Sequence, residues 1–213
     1  MKEEFWMEKW NREDIGFHQQ APNSYLQEFG TQFFEAGKTV LVPLCGASID
    51  MKWLKDQGLN IVGVELSEKA TQWFFETHNL ELKITELDGF KIYESENIKI
   101  YTGDIFTFKD WDNIDYVYDR ASIVALPKDM REQYVSLINK NLSHTSIFMI
   151  SFSFDNEELG PPFSVDSEKI KRYFSDLFEI ERVKEVRTEN PPIHGGVLPY
   201  IKDSLYFLNP KVK

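Results

Sequence analysis

Apolar positions along the chain alternate between two periods. Helical spacing predicts helices over 3–12 and 23–34; in the second, Tyr25, Leu26, Phe29, Phe33 and Phe34 recur behind Asn23, a predicted N-cap. After Gly37 the pattern becomes a short continuous run, Thr39-Val40-Leu41-Val42, as expected of a strand buried on both faces. The alternation then repeats. A helix is predicted over 48–57, a strand over 60–64 and a helix over 67–79, with Ala70, Trp73 and Phe74 facing inward. Residues 82–102 read as short strands turning at Asp88-Gly89 and Glu96-Asn97, with 98–101 the third core strand. A fourth strand is predicted over 114–118, a helix over 129–142 and a fifth strand over 146–154. A helix over 166–175 and strands over 178–187 and 204–208 complete the pattern.

This order predicts an α/β fold: a Rossmann-like, doubly wound, mostly parallel seven-stranded sheet with an antiparallel last strand. No repeat, low-complexity stretch or long linker interrupts it, so 1–213 is expected to be one domain, with 1–36 a helical cap over the active site. The stretches 155–165 and 188–203 carry Pro161-Pro162, Pro191-Pro192, Gly195-Gly196 and Pro199, and read as loops long enough to serve as lids.

Composition narrows the partners. Apolar residues make up 42% of the chain and aromatic residues 15%, a globular composition whose aromatics are expected mainly in the core. A net charge of −11 repels phosphate backbones and anionic bilayers, so neither nucleic acid nor a membrane is an expected partner. The lone cysteine, Cys45, precludes an internal disulfide and suits a reducing, cytoplasmic setting. The N-terminus is charged and lacks an apolar signal core. Nothing in the pattern requires more than a monomer. His78, His144 and His194 show no metal-ligand spacing with Cys45 or each other, so no metal is expected.

Ligands of such sheets bind beyond the carboxyl ends of the strands. The first strand is followed by Pro43-Leu44-Cys45-Gly46-Ala47-Ser48, a tight turn whose Gly46 admits a close ligand. It is neither G-x-G-x-x-G nor a Walker loop, which disfavours nicotinamide, flavin and phosphoryl-transfer chemistry. The second strand ends at Glu65, which suits the two hydroxyls of a ribose and repels a 2′-phosphate; a solvated acid at a strand end is an equal alternative. After the third strand, Asp104 can take an adenine amino group and Ile105 can border the ring. After the fourth, Arg120 can grip a carboxylate with its two-pronged guanidinium, or pair structurally with Asp119 or Asp104. In register, these positions describe a pocket for a phosphate-free adenosine joined to an amino acid, which is S-adenosylmethionine.

Several motifs point the same way. Trp6, Trp10, Gly16-Phe17-His18, Val42-Pro43-Leu44-Cys45-Gly46, Asp50-Met51-x-Trp53-Leu54, Gly63-Val64-Glu65-Leu66-Ser67, Asp119-Arg120-Ala121 and Gly160-Pro161-Pro162-Phe163 together resemble the thiopurine S-methyltransferase family in its bacterial form. That group belongs to the class I S-adenosylmethionine-dependent methyltransferases, and the resemblance runs from about residue 3 to residue 208. It implies that Trp10, Leu44, Glu65 and Arg120 contact S-adenosylmethionine, that Trp6, Asp104 and Ile105 border it, and that Phe17 faces the acceptor. Ala47 stands where the family commonly has Lys, and the 194–200 segment departs from the family pattern.

The acceptor side is expected to be an aromatic wall of Phe17, Phe152, Phe154 and Phe163, with Asp14 or His18 as candidates for proton handling. Trp6, Trp10 and Phe17 can equally staple a helix to the core, and His18 can equally be a structural hydrogen-bonder. Cys45 is expected to be a packed small residue. The leading functional reading is methyl transfer from S-adenosylmethionine to the sulfur of small thiols, with selenium or tellurium species as further acceptors and S-adenosylhomocysteine as product. Two readings compete with it: a halide/thiol methyltransferase making volatile products, and a non-catalytic S-adenosylmethionine-binding protein.

Overall fold

The computed structural model describes residues 3–16, 18–120, 122–156, 159–193 and 196–212. The chain divides into two compact units, one ending at Tyr116 and one beginning at Val117.

The first unit opens with α1 (Glu3–Asn11) and α2 (Ser24–Phe33). Asn23 caps α2 by accepting from the Tyr25 N–H at 2.9 Å, while its own N–H donates to the buried Asp50 carboxylate at 2.7 Å. This second bond ties the start of α2 to α3 (Ile49–Asp56). The sheet of this unit runs β3 (Lys83–Leu87), β4 (Phe90–Ser95), β5 (Ile98–Thr102), β2 (Asn60–Glu65), β1 (Thr39–Pro43) in spatial order, with α4 (Glu68–Thr77) following β2. β1 pairs parallel with β2, and β2 parallel with β5. Val40, Leu41 and Val42 are buried, as their continuous apolar run predicts. Each such side chain contributes about 1.5–3 kcal/mol on burial.

The second unit contains β6 (Tyr116–Arg120), α5 (Ser122–Ala125), α6 (Lys128–Asn141), β7 (Ser146–Ser153), α7 (Ser167–Phe174), β8 (Phe178–Glu189), the short β9 (Pro192–Ile193) and β10 (Gly196–Val197), and β11 (Tyr200–Pro210). Its sheet order is β6-β7-β11-β8, and β11 lies antiparallel to both of its neighbours.

The strand count corrects the sequence expectation. Among the described residues, five strands form the sheet of the first unit and four that of the second, nine where seven were expected. The additional pair is β3–β4: Asp88 and Gly89, at φ +52° and +83°, make a tight turn that folds β3 onto β4, and β4 then pairs antiparallel with β5. Antiparallel pairs occur in both units.

The stretch 188–203 is a second correction. β8 runs on to Glu189 and β11 starts at Tyr200, so most of the expected loop is a hairpin, closed by Asn190 N–H to Pro199 O at 3.0 Å and Leu198 N–H to Pro191 O at 3.1 Å. The prolines read as loop punctuation because Pro cannot donate to a ladder, yet β8 is an edge strand and the prolines fall between the long strands. His194 and Gly195 lie outside the described residues.

The predicted 114–118 strand is shifted to Tyr116–Arg120, because Asp115 turns its carboxylate to the Thr39 N–H at 2.8 Å and to Lys38 at 3.4 Å. Much of the aromatic content sits in core clusters such as Phe74–Phe75–Tyr93 and Tyr118–Phe148–Phe207. Among the described residues, no helix is long and apolar enough to cross a membrane.

Candidate active site

In the first unit, the chain leaving β1 must turn sharply before α3 begins. Leu44 at φ +47° and Gly46 at φ +53° supply that turn. The Cys45 N–H donates to Val64 O at 3.1 Å, and Ser48 caps α3 by accepting from the Asp50 N–H at 3.2 Å. A Cβ on Gly46 would lie 3.0 Å from Trp10 Cζ2, so the indole of α1 covers this turn closely. Trp10 is buried and stands edge-on to Trp73, with ring centroids 5.9 Å apart.

Glu65 ends β2 and joins three strand exits. One carboxylate oxygen accepts the Gly46 N–H at 2.7 Å and the other accepts the Ser67 N–H at 2.8 Å. Its backbone carbonyl accepts the Gly103 N–H, just beyond β5, at 2.8 Å. The side chain is only 6% exposed, which removes the solvated-acid alternative. Burial pushes its carboxyl up from the usual range, and the N–H groups of Ser67, Gly46 and Leu66 pull it back down. A carboxylate offers about four acceptor positions, so with these three N–H groups a ribose hydroxyl can still donate to Glu65 without displacing any of them.

The turn after β5 is held by Asp104, whose Oδ1 accepts the Phe106 N–H at 3.0 Å and so caps the short helix Ile105–Thr107. Ile105 is buried. Leu44, Gly46, Glu65, Asp104 and Ile105 therefore sit at the carboxyl ends of β1, β2 and β5, as the sequence predicted, with Trp10 over the first turn. Trp6, half-buried on α1, stands edge-on to Phe5. Cys45 is buried and its thiol is pushed well up, first by burial and then by the Glu65 charge, as befits a packed small residue.

The two proton-handling candidates lie in different settings. Asp14 is exposed and ion-paired with Lys9, whereas His18 stacks on Trp73 with centroids 5.1 Å apart. Phe17, the expected acceptor contact, lies outside the described residues, as does Ala121.

In the second unit, Asp119 is fully engaged by its own element boundary. It accepts from the Ser122 and Ile123 N–H groups at 3.0 and 3.3 Å and from the Tyr134 hydroxyl at 2.8 Å. Burial raises its carboxyl, and these donors offset part of the rise. Asp119 thus anchors α5, a short helix that the sequence pattern did not reveal. Arg120, the next residue, is half-buried, and its charge acts on Asp203 of β11.

Phe152 is half-buried near the end of β7, and Phe163 packs under the buried Arg131 guanidinium, 5.8 Å from the ring centroid. Gly160 allows Phe163 to fold back, since a Cβ there would lie 2.4 Å from Phe163 Cδ1. The return of the 155–165 stretch is strung to neighbouring elements by Phe163 N–H to Val124 O at 2.7 Å and Val165 N–H to Phe152 O at 2.8 Å. Among the described residues, no group of His, Cys, Asp and Glu is arranged to hold a metal ion.

A tight turn after β1 and a buried acid ending β2 are features of a Rossmann-like α/β fold. The fold matches that of the N-methyltransferase NodS from Bradyrhizobium japonicum WM9 in complex with S-adenosylhomocysteine, with TM-score 0.63 and 12% identity over 96% of this chain and 98% of that one. The model of the family described as thiopurine S-methyltransferase matches residues 1–211. A probable thiopurine S-methyltransferase of Yarrowia lipolytica is 38% identical over 216 residues, covering 98% of this chain and all of its own. A thiopurine S-methyltransferase of Teredinibacter turnerae is 38% identical over 200 residues, covering 92% of this chain and 91% of its own. The chain belongs to the thiopurine S-methyltransferase family; it is an S-adenosylmethionine-dependent S-methyltransferase acting on a small molecule.

Proposed function

We propose that the chain methylates the sulfur of small aromatic thiols of the thiopurine kind, acting as a cytoplasmic monomer without nucleic-acid or membrane partners. The observation that carries this reading is Glu65: one buried carboxylate bonded to the turns after β1 and β2, with acceptor capacity left for a sugar hydroxyl. In this reading Glu65 holds the ribose, Leu44 and the Gly46 turn border the adenosyl group, Asp104 and Ile105 take the adenine, and Trp6 and Trp10 of the 1–36 cap close over it. Arg120 takes the methionine carboxylate.

S-adenosylmethionine, when bound, supplies a sulfonium methyl group. The chain's own contribution is placement, and alignment of this kind is worth up to about 7–11 kcal/mol in model systems. In this reading Phe17, Phe152 and Phe163 are the acceptor-side aromatic residues, which pack the acceptor and exclude water. A thiol reacts as its thiolate, and an aromatic thiol is acidic enough to ionise without a strong base. Asp14 and His18 therefore have a small part in the reaction. Inorganic selenium and tellurium species are secondary acceptors.

The test is a methyl-transfer panel of aromatic thiols, aliphatic thiols, selenite, bisulfide and iodide, run after titration with S-adenosylhomocysteine. The expected result is binding of S-adenosylhomocysteine and fastest turnover of aromatic thiols. Turnover of bisulfide or iodide with none of aromatic thiols would establish the volatile-product reading. Binding with no turnover across the panel would establish a non-catalytic binder.

A further inference from the structure

In the first unit, α4 is tied to the end of β2 and to β5. The N–H of its cap residue Ser67 donates to the Glu65 carboxylate, and the Thr102 hydroxyl of β5 donates to the Thr71 hydroxyl at 3.0 Å. Ala70, Thr71, Phe74 and Phe75 make the buried face of the helix. Lys69 and Trp73 are both half-buried and stand four residues apart, which makes them neighbours on the helix surface. They meet the N-terminal segment instead.

Three contacts join that segment to this pair. The Trp10 indole stands edge-on to Trp73, with centroids 5.9 Å apart. The His18 ring stacks on Trp73 at 5.1 Å with an interplanar angle of 29°. The Lys69 ammonium donates to the carbonyl of Asn11, the last residue of α1, and to the Glu13 carboxylate, both at 3.3 Å. The last carbonyls of a helix lack intrahelical partners and carry partial negative charge, so a cation is well placed there. Beyond α1 the chain turns back compactly, with Glu13 N–H to Trp10 O at 3.2 Å and Asp14 N–H to Lys9 O at 3.0 Å. The Trp10 ring that meets Trp73 also covers Gly46, where a Cβ would lie 3.0 Å from it. Beside these contacts a cleft of about 390 Å³ is lined by Glu13, Lys69, Gln72, Trp73 and Glu76, so a few side chains and not a filled core support the segment here.

We propose that Trp73 and Lys69 are positioning residues: they form the seat on which the N-terminal segment closes, and by holding Trp10 against the turn after β1 they set how long the cofactor stays bound. This rests on the reading above in which that segment covers S-adenosylmethionine. Trp73 grips the segment at Trp10 and at His18, and Lys69 holds Asn11 and Glu13 between them. Loss of the seat leaves Glu65 and the strand-end turns in place, so the cofactor still enters. What is lost is the cover that must lift before the cofactor leaves, and the effect therefore falls on the dissociation rate.

The experiment measures S-adenosylhomocysteine association and dissociation by surface plasmon resonance for the wild type, Trp73→Ala, Trp73→Phe, Lys69→Met and Lys69→Arg. Trp73→Ala is expected to release the ligand about tenfold faster, with an association rate within about twofold of the wild type. Trp73→Phe keeps a ring for Trp10 and His18 and should stay within about threefold of the wild-type dissociation rate. Lys69→Met keeps the apolar stem and loses the donor. A surface ion pair is worth little, so its dissociation should quicken by only about two- to fourfold, and Lys69→Arg should restore the wild-type rate.

Trypsin cleavage after Lys9 and Arg12 reads the segment itself. Saturating S-adenosylhomocysteine should slow these two cuts in the wild type and fail to slow them in Trp73→Ala, while cuts elsewhere in the chain stay slow in both. A general loss of stability would instead speed cleavage throughout. Should Trp73→Ala not fold, Lys69→Met carries the same two readings. Wild-type dissociation together with retained protection of Lys9 and Arg12 in these variants would overturn the seat and leave the cofactor site intact. No binding of S-adenosylhomocysteine by the wild type would overturn the cofactor reading on which the seat rests.

Discussion

Glu65 illustrates how one residue can be both a structural tie and a ligand grip. A buried, ionised carboxylate is costly to desolvate, and the N–H groups of Gly46 and Ser67 offset that cost by direct bonding. Its upward shift means that the fold is favoured below the free-Glu range and loses that contribution as pH rises through the raised value. Its charged form thus works against stability, and acceptor positions for a ribose are the functional return. Glu65→Gln keeps the size but presents an amide N–H₂ to one of the two N–H donors. It should weaken S-adenosylhomocysteine binding by about tenfold to a hundredfold, read by calorimetry at pH 7.5. Unchanged affinity would remove Glu65 from the site. The residue was legible in the sequence because an acid closing a buried strand, nineteen positions after Gly46, is a positional signal.

At the scale of elements, the decisive unit is the turn that leaves β1. Leu44 and Gly46 both take positive φ, and Trp10 of α1 rests on Gly46. Gly46→Ala would place a methyl in the left-handed region against the indole. The expected cost is about 1–3 kcal/mol of stability, measured by urea denaturation, together with weaker S-adenosylhomocysteine binding as the turn or α1 shifts. A fully stable variant with native affinity would show that α1 does not close tightly over the turn. The elements around this turn were readable because each combines a strong period with an end signal: Asn23, Ser48 and Ser67 all cap the helices they precede. The β3–β4 hairpin was visible as short strands, but its membership of the sheet was not. All five residues of β3 are exposed, so no apolar face announced it. The long β8–β11 hairpin was obscured in a similar way, by charged edge positions and prolines whose effect depends on which strand has a free edge.

At the scale of the molecule, each unit carries strands whose carboxyl ends bear the residues assigned to the reaction. The first unit presents Leu44, Gly46, Glu65, Asp104 and Ile105, and the second presents Arg120 and Phe152. Family membership fixes the type of chemistry, methyl transfer to sulfur. The net charge of −11, from 35 acidic against 24 basic residues, suits a neutral or weakly acidic small acceptor better than a polyanion.

The most direct measurement is a crystal structure of the protein with S-adenosylhomocysteine. The ribose hydroxyls should lie within hydrogen-bond distance of the Glu65 carboxylate, with the Gly46 and Ser67 bonds kept. A nucleoside bound elsewhere, with Glu65 holding only those two N–H groups, would contradict the assignment of this site.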